Sequence, residues 1–427
     1  LDGDGEAIEY AIRMRQFPQH QLLDQMQQRG ELGNGHIDAL THQIARFHQQ
    51  APVVPGNHPL ANPGAIMAPV QQNFEQIRPM LSEAADLAQL DALESWAADS
   101  FKRLQPLLEQ RCAQGSVREC HGDIHLGNAT LLDGEVVLFD CIEFNEPFRL
   151  IDIACDAMFL AMDLEDRNLH ALAHRFTNGW LEQTGDYGSL PLINFYKAYR
   201  AMVRAKVSLF RLAQENDPQV KAEVMAQYRS YAALAESYCA IPSRFLAITH
   251  GVSACGKSTV AMQLVEQLGA LRLRSAVERK RLFGEQILPG NPWRSAIYSD
   301  EATAATYQQL HERATAALQA GFPVVIDATY LKHAQRQQAA HVAETCGVPL
   351  LILDCQAPDA IIAGWLAMRH GEGNDPSDAT SEVITAQQAS REPLAADEQR
   401  LAHQVLTHDA GSMNSLTDRI RSNLQRR

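Results

Sequence analysis

The stretch GVSACGKST, residues 251–259, follows a short apolar run, Phe245–Thr249, and precedes a helical pattern. It fits G-x-x-x-x-G-K-[ST], whose glycines let backbone N–H groups turn inward around phosphate groups at a helix amino terminus. In such a loop Lys257 contacts the β- and γ-phosphates, and the Ser258 hydroxyl ligates Mg²⁺. The sequence therefore predicts an ATP-binding loop with these contact residues: Gly251, Ser253, Ala254, Cys255, Gly256, Lys257, Ser258 and Thr259.

Downstream of this loop, short apolar runs alternate with helical segments. The runs Leu271–Arg274, Val324–Ile326 and Leu350–Leu353 read as strands, and this alternation predicts a parallel sheet covered by helices on both faces. Asp327 follows one strand directly, where a carboxylate can join the Mg²⁺ shell, although a simple turn residue is the alternative. We place a domain boundary near residue 240, which gives an α/β P-loop domain over residues 241–427.

Two basic features lie beyond the loop. Five Lys and Arg residues occur between Arg272 and Arg281, and they form either a solvated charged face or a cradle for an anionic substrate. Arg369 and Arg391 flank the segment 371–381, which is a candidate lid over the nucleotide, and Arg369 is the predicted nucleotide contact.

A second constellation lies in the amino-terminal half. His121, Asp123 and Asn128 follow the pattern H-x-D-x-x-x-x-N, and Asp140 comes twelve residues later, after an apolar strand. Phosphoryl transfer requires a carboxylate near the acceptor hydroxyl and oxygen ligands on Mg²⁺. Asp123 fits the catalytic role, and Asn128 and Asp140 fit the metal-ligand role. A rival interpretation takes His121, Asp123 and His125 as a transition-metal site.

The surrounding pattern is mainly helical. Helical periodicity covers residues 36–50, 74–110 and about 151–237, a loop is predicted over residues 51–69, and Asp133-Gly134 predicts a hairpin between two short strands. Asp152 and Asp156 are predicted either to support the Asp123 loop or to face solvent. Arg200 and Arg204 lie one helical turn apart and share a face. They either bind an acidic substrate or face solvent, and we expect that they face solvent.

Composition narrows the class of protein. Among 427 residues, 37 Lys and Arg against 51 Asp and Glu give a formal net charge of −14, which argues against a general duplex-DNA binder. Eight cysteines without a C-x-x-C pair are typical of reduced thiols in a cytoplasmic protein. No apolar run reaches the ~20 residues of a membrane span. The sequence carries no signal for an oligomeric state.

The first half, about Glu6–Tyr238, resembles aminoglycoside phosphotransferases and choline kinases, and the resemblance rests on the Asp123 loop. It implies a protein-kinase-like α+β fold in which His121 is structural. The segment Ile8–Phe17 resembles the strand that carries the nucleotide-binding Lys of this fold, but it offers Arg13. The strands expected before it are absent, so we expect an incomplete amino-terminal lobe.

The second half, about Arg244–Leu406, resembles the predicted-kinase branch of P-loop kinases, which is related to polynucleotide kinases and zeta-toxin-like enzymes. That branch places an acceptor-activating Asp after the second strand, whereas this chain has Ala276. Together the resemblances imply an ATP- and Mg²⁺-dependent phosphotransferase acting on a hydroxyl of a small molecule or nucleic-acid end. The alternatives are a P-loop part that senses nucleotide for the first half, or a non-catalytic nucleotide-dependent interaction module.

Overall fold

The chain up to Ser237 is mostly helical in the computed structural model, which describes residues 16–212, 215–284, 297, 299–372 and 380–425, without the side chains of residues 369–372 and 425. The segment Ile8–Phe17 and Arg13 therefore lie largely outside the described residues. The helices in this helical part are α1 (Leu23–Gln28), α2 (Asn34–Gln50), α3 (Pro63–Ile77), α4 (Ala84–Ala113), α5 (Glu146–Arg149), α6 (Ile153–Asp166), α7 (His170–Thr184), α8 (Ile193–Phe210) and α9 (Pro218–Ser237). Its strands are β1 (Val117–Glu119), β2 (Ala129–Leu132), β3 (Glu135–Leu138) and β4 (Leu150–Asp152).

Helix α6 is the centre of the helical part, because Ile153 through Glu165 are all buried. Around it pack helices with one apolar face, such as α2, whose Ile37, Leu40 and Ile44 are fully buried at helical spacing. The hairpin of β2 and β3 forms where Asp133-Gly134 predicts it, with Asp133 at φ 51° and Gly134 at φ 87°.

Two sequence predictions in this part are wrong in their boundaries. The predicted loop over residues 51–69 ends early, because α3 begins at Pro63, where a missing N–H costs nothing, and Asn62 caps it by accepting from Ala65 N at 3.0 Å. The predicted helix over residues 74–110 is interrupted by a 3₁₀ turn at Arg78–Met80. Pro79 lies in that turn and cannot donate the N–H that would continue α3.

From Leu246 the chain forms a five-stranded parallel sheet, hereafter the sheet part. Its strands are β5 (Leu246–His250), β6 (Leu271–Arg274), β7 (Val324–Asp327), β8 (Leu350–Gln356) and β9 (Ala402–Leu406), in the spatial order β6-β7-β5-β8-β9. Its helices are α10 (Lys257–Leu268), α11 (Ser275–Phe283), α12 (Asp300–Gln319), α13 (His333–Thr345), α14 (Asp359–Glu372), α15 (Ser381–Ser390), α16 (Ala396–Gln399) and α17 (Ala410–Gln425). The predicted strands and the α/β P-loop fold are confirmed, whereas β9 was not predicted.

Alternate residues of the strands enter two different cores. Leu246 and Ile248 of β5 join the core that α12 and α13 cover, while Ala247 faces the core formed with α10, α14 and α17. Helices therefore cover both faces of the sheet, as expected for parallel strands. Among the described helices, none is long and apolar enough to cross a membrane.

Candidate functional site

The loop between β1 and β2 carries Asp123 and Asn128 in direct contact. Asn128 Nδ2 donates to Asp123 Oδ2 and to the Asp123 carbonyl oxygen, both at 3.0 Å. His125 Nε2 lies 3.4 Å from the same Oδ2. Within the described residues no hydrogen bond reaches Asp123 Oδ1, and about a third of the side chain, 35%, is exposed. One carboxylate oxygen is thus held while the other stays available to a ligand.

Buried carboxylates of α6 hold the backbone of this loop. Asp156 accepts from His121 N at 3.0 Å and Gly122 N at 2.8 Å, and Asp163 accepts from Leu126 N at 3.0 Å. Gly122 has φ 86°, and a Cβ there would lie 2.6 Å from the Phe148 carbonyl oxygen, so only glycine fits. The predicted supporting role of Asp156 is therefore visible in the structure.

Asp152 acts elsewhere in the helical part. It caps α6 by accepting from Ala154 N at 2.9 Å, and it forms a buried ion pair with Arg111 at 2.6 Å. Asp152 therefore anchors the start of α6, and none of its hydrogen bonds to the described residues reaches the Asp123 loop.

The segment after β3 runs back along the loop. Phe139 N donates to Asn128 O at 3.1 Å, and His121 Nε2 bonds the Phe139 carbonyl oxygen at 2.9 Å. Asp140, the next residue, is exposed and has φ 60°, a left-handed conformation that non-glycine residues rarely adopt. Asp140 thus directly follows a residue that bonds Asn128, and it has a conformation that often marks a functional position.

Positive charge from α8 reaches Asp123. Arg200 is buried and donates from Nη1 to Gly122 O at 3.1 Å, and Arg204 lies one turn further along. Burial opposes ionisation of Asp123, but the hydrogen bond from His125 and the charges of Arg200 and Arg204 outweigh it, so its pKa lies below the usual value. The expectation that both arginines face solvent is wrong, because Arg200 packs against the loop and Arg204 packs against Tyr231 of α9.

The rival metal site is not supported. Both ring nitrogens of His121 are engaged, Nε2 with Phe139 O and Nδ1 with Asp123 N, so neither can reach a metal. Among the described residues, the side chains that lie close enough together to bind a metal ion are those of His48, Cys120 and Asp156, all buried. His48 and Asp156 bond each other at 3.1 Å, which accounts for their burial without an ion.

The loop after β5 has the conformation of a phosphate loop. Ala254 and Gly256 have φ 59° and 86°, and α10 begins at Lys257. Lys257 Nζ donates to Val252 O at 2.6 Å, so the ammonium lies within the loop. A single cleft is lined by Ser253, Ala254, Gly256, Lys257, Ser258, Arg274, Ser275, Ala276, Asp327, Ala328 and Thr329.

The cleft thus brings together five of the predicted loop residues with Asp327. Cys255 points away, with its Sγ 3.6 Å from the Cys355 carbonyl oxygen, and Thr259 is exposed on α10 outside the cleft. Gly251, with φ 144°, shapes the turn and does not line the cleft. The side chain of Arg369 lies outside the described residues.

Ala276, in the first turn of α11, lines the cleft. The P-loop kinases that this part resembles have an acceptor-activating Asp at this position, whereas this chain has only a methyl group there. Glu278, two residues on, is fully buried and paired with Arg281 and Arg313. Asp327 is therefore the one carboxylate that lines this cleft among the described residues.

Three arginines of the basic segment contact the helical part, a contact that neither interpretation made from the sequence included, and Arg274 also lines the phosphate cleft. Arg272 and Arg274 pair with Glu182 of α7 at 3.0 and 3.4 Å, and Arg281 donates to the Glu182 carbonyl oxygen at about 2.5 Å. These side chains therefore join the sheet part to the helical part. Arg391 is likewise engaged, donating to His250 Nε2 at 3.1 Å and to Asp354 at 3.0 Å.

Two residues of this site had no signal in the sequence. Glu182 lies in an ordinary amphipathic helix, and its position beside the cleft depends on how the two parts pack. Gln387 of α15 accepts from Ser253 N at 2.7 Å and so occupies a phosphate-loop N–H. Neither belongs to a spacing pattern, and both contacts span long sequence separations.

Known families match both parts. Residues 4–193 match the Phosphotransferase enzyme family (APH), and residues 246–394 match an AAA domain family of P-loop type. An uncharacterized protein of Mycobacterium tuberculosis (strain ATCC 25618 / H37Rv) is 30% identical over 387 residues, which cover 90% of this chain and 76% of that protein. The chain belongs to the same family as this relative, and it joins an APH phosphotransferase segment to a P-loop kinase-like segment. The resemblances inferred from the sequence are thereby confirmed.

A second curated relative matches the chain to the same extent, whereas the solved structures match less than half of it. An uncharacterized protein of Mycobacterium bovis has the same identity and coverage. Among solved structures, a sugar kinase from Janibacter sp. HTCC2649 is 21% identical, covers 42% of this chain and 94% of its own, and has a TM-score of 0.32. A gluconokinase from Sinorhizobium meliloti 1021 is 17% identical, covers 43% and 98%, and has a TM-score of 0.31.

Proposed function

We propose that the chain is an ATP- and Mg²⁺-dependent phosphotransferase whose transfer step takes place at Asp123. The observation that carries the proposal is the Asp123 loop, in which Asn128 holds one carboxylate oxygen at 3.0 Å and leaves the other to a ligand, while its carbonyl oxygen accepts from the N–H of Phe139, the residue before Asp140. A base, an amide oxygen and a second carboxylate in this order are what phosphoryl transfer to a hydroxyl requires.

The residues divide the work as follows. The oxygen of the acceptor hydroxyl attacks the γ-phosphorus of ATP, and Asp123 Oδ1 accepts the proton of that hydroxyl. At the same time the bond between the γ-phosphorus and the oxygen of the β-phosphate breaks. The low pKa of Asp123 keeps the carboxylate ionised and ready to bind the hydroxyl. Asn128 and Asp140 offer the hard oxygen ligands that suit Mg²⁺, which, when bound, neutralises charge on the phosphates.

We further propose that the sheet part binds a second Mg·ATP. Lys257 lies within the loop, and Ser258 and Asp327 line one cleft, so the oxygen donors of a Mg²⁺ site are together there. Ala276 favours a regulatory nucleotide site over a second transfer site, since no base other than Asp327 lines the described cleft. The acceptor class stays broad: a hydroxyl of a small molecule or of a nucleic-acid end.

Nucleotide calorimetry on the full chain tests the second site. Lys257→Ala removes charged hydrogen bonds worth about 1.5–3 kcal/mol, so affinity at this site should fall by about tenfold or more. The matched control is Lys332→Ala, an exposed lysine whose Nζ bonds the Ser390 carbonyl oxygen on the same part. Unchanged affinity in a folded Lys257→Ala chain contradicts the assignment.

A further inference from the structure

A second cleft, hereafter the junction cleft, lies between the helical part and the sheet part and has a volume of about 600 Å³. The helical part contributes side chains of α7, the start of α8 and the end of α9 to its walls. The sheet part contributes Phe245, Leu271 and Pro323, which lie at or just before the first residues of β5, β6 and β7. A cleft of this size between two domains is a common setting for a small-molecule site.

The junction cleft is separate from the two sites described above. It lies at the amino ends of these strands, whereas the phosphate loop follows the carboxyl end of β5 at His250. The five residues of β5, at about 3.3 Å each, separate the two ends by roughly 16 Å. None of the described residues that line the junction cleft belongs to the Asp123 loop. A molecule in this cleft is therefore bound outside both sites.

The charged side chains that line the junction cleft are already paired. Lys197 Nζ donates to both carboxylate oxygens of Glu165, at 2.8 and 3.0 Å, and the Tyr238 hydroxyl donates a further hydrogen bond to Glu165. Burial opposes ionisation of Glu165, but Lys197 and this hydrogen bond outweigh it, so its pKa lies below the usual value. Arg421, half of which is exposed, pairs with Asp418 at 3.3 Å. The described part of the cleft thus offers a ligand no uncompensated charge.

The buried histidine of the junction cleft is an acceptor. His174 Nδ1 bonds the Glu266 carbonyl oxygen at 3.1 Å and carries the ring proton, because a carbonyl oxygen only accepts. Burial lowers the pKa of His174, which opposes a second proton. Nε2 is therefore an acceptor, and it lies beside Gly269, another residue of the cleft. His170, the other histidine of the cleft, is exposed to solvent.

Two neutral polar side chains of the junction cleft have no hydrogen-bond partner among the described residues. They are Thr177 of α7 and Asn194 in the first turn of α8, and both are half-buried. Other helical threonines, such as Thr41 and Thr184, bond the carbonyl oxygen four residues earlier. A hydroxyl and an amide can each donate and accept, so they suit hydroxyl or amide groups of a ligand. Phe322 supplies apolar surface to the same cleft.

We propose that the junction cleft binds an uncharged molecule of about nucleoside size that carries hydroxyl or amide groups and one apolar face. A charged group would lose its hydration on entering, and the paired charges of the cleft would not compensate that loss. Hydroxyl and amide groups require only the partners that Thr177, Asn194 and His174 Nε2 offer. The inference goes beyond the proposed phosphotransferase function and does not rest on it, because it uses neither Asp123 nor Lys257.

The test is a titration of the full chain with matched probe pairs, followed by saturation-transfer NMR of the probes. Uncharged nucleosides, hexoses and carboxamides are each compared with the phosphorylated or carboxylate counterpart. At least one uncharged probe should bind, about tenfold or more tightly than its charged counterpart. Thr177→Val and Asn194→Leu, which keep the side-chain size and remove the polar atoms, should each weaken binding of that probe by about fivefold or more.

Three control variants locate the bound probe. Asn57→Leu changes an exposed asparagine in the loop between α2 and α3, and Asp123→Asn and Lys257→Ala change the two sites described above. The uncharged probe should bind to all three as it binds to wild type. Loss of binding in Asp123→Asn or Lys257→Ala would assign the probe to one of those sites and overturn the inference.

The remaining outcomes also decide. The inference is overturned if no uncharged probe binds, if charged counterparts bind as tightly, or if binding is unchanged in both cleft variants. If Asn194→Leu does not fold, Thr177→Val, which replaces only a hydroxyl by a methyl group, decides alone: weaker binding supports the inference, and unchanged binding overturns it.

Discussion

Asp156→Asn removes the charge that holds the Asp123 loop. The carboxylate accepts from His121 N at 3.0 Å, Gly122 N at 2.8 Å and His48 Nε2 at 3.1 Å. His48 Nδ1 accepts from Trp180 Nε1, so Nε2 carries the proton and donates. An amide keeps one acceptor oxygen, and its NH₂ then faces a buried N–H. Loss of the charge and one bond should cost about 3 kcal/mol, which lowers the unfolding midpoint by roughly 6–12 °C.

Thermal unfolding of the full chain, followed by circular dichroism, measures this effect. Asp217→Asn is the matched control, because Asp217 also accepts a backbone N–H, from Gln219 at 2.8 Å, but at an exposed helix cap. Asparagine caps helices about as well as aspartate, so the control midpoint should stay near wild type. Equal midpoints for the two variants would refute the reasoning.

The pH dependence of the stability of wild type and of the Asp156→Asn chain gives a second test of the role of Asp156. Burial opposes ionisation of Asp156, but the hydrogen bond from His48 and the charge of Arg200 outweigh it, and its pKa lies below the usual value. Its stabilisation is therefore complete above the unfolded pKa, about 3.9, and is lost as the pH falls through the lower folded pKa. The Asp156→Asn chain should lose less stability than wild type over that acidic range.

Three further changes test individual contacts. Ala276→Asp places a carboxylate in the phosphate cleft. If the sheet part lacks only a base, this change should raise acceptor-dependent ATP consumption about tenfold or more, measured in a chain that also carries Asp123→Asn. No rise means that the sheet part does not transfer phosphate. Gln387→Ala frees Ser253 N and should tighten nucleotide binding by about two- to tenfold in calorimetry, whereas Gln388→Ala, which loses a bond to Asp359 instead, should not. Asp140→Asn should weaken both turnover and Mg²⁺-dependent nucleotide binding in the helical part, and normal values for both would exclude it as a metal ligand.

Much of the fold follows from local patterns in the sequence. The phosphate loop, the hairpin at Asp133-Gly134 and the buried strands depend on residues close together in the chain, and they occur where predicted. The boundaries of two predicted elements were wrong because a proline can either begin or end a helix. Pro63 begins a helix, and Pro79 ends one. Strand β9 was missed because its exposed face, with Gln404, dilutes the apolar signal of an edge strand.

The candidate sites could be predicted only in part, for a physical reason. Asp123 and Asn128 are five residues apart, so their contact follows from one loop. Arg272 and Arg274 both bond Glu182, which lies about ninety residues earlier in the chain. The run of basic residues in the sequence does not indicate this contact. The sequence therefore located the charged segment but offered only solvent or substrate as its surroundings, whereas Arg272, Arg274 and Arg281 also contact the helical part in the structure.

Phosphorylated products formed by the full chain from ATP, Mg²⁺ and a library of hydroxyl acceptors, detected by mass spectrometry, test the central claim most directly. Wild type should phosphorylate at least one acceptor, and Asp123→Asn should slow that reaction by about 10²–10⁴-fold without changing nucleotide affinity. The matched control Asp133→Asn, in the exposed β2–β3 turn, should keep the wild-type rate. An Asp123→Asn chain that transfers phosphate as fast as wild type would contradict the assignment of the transfer step to this loop.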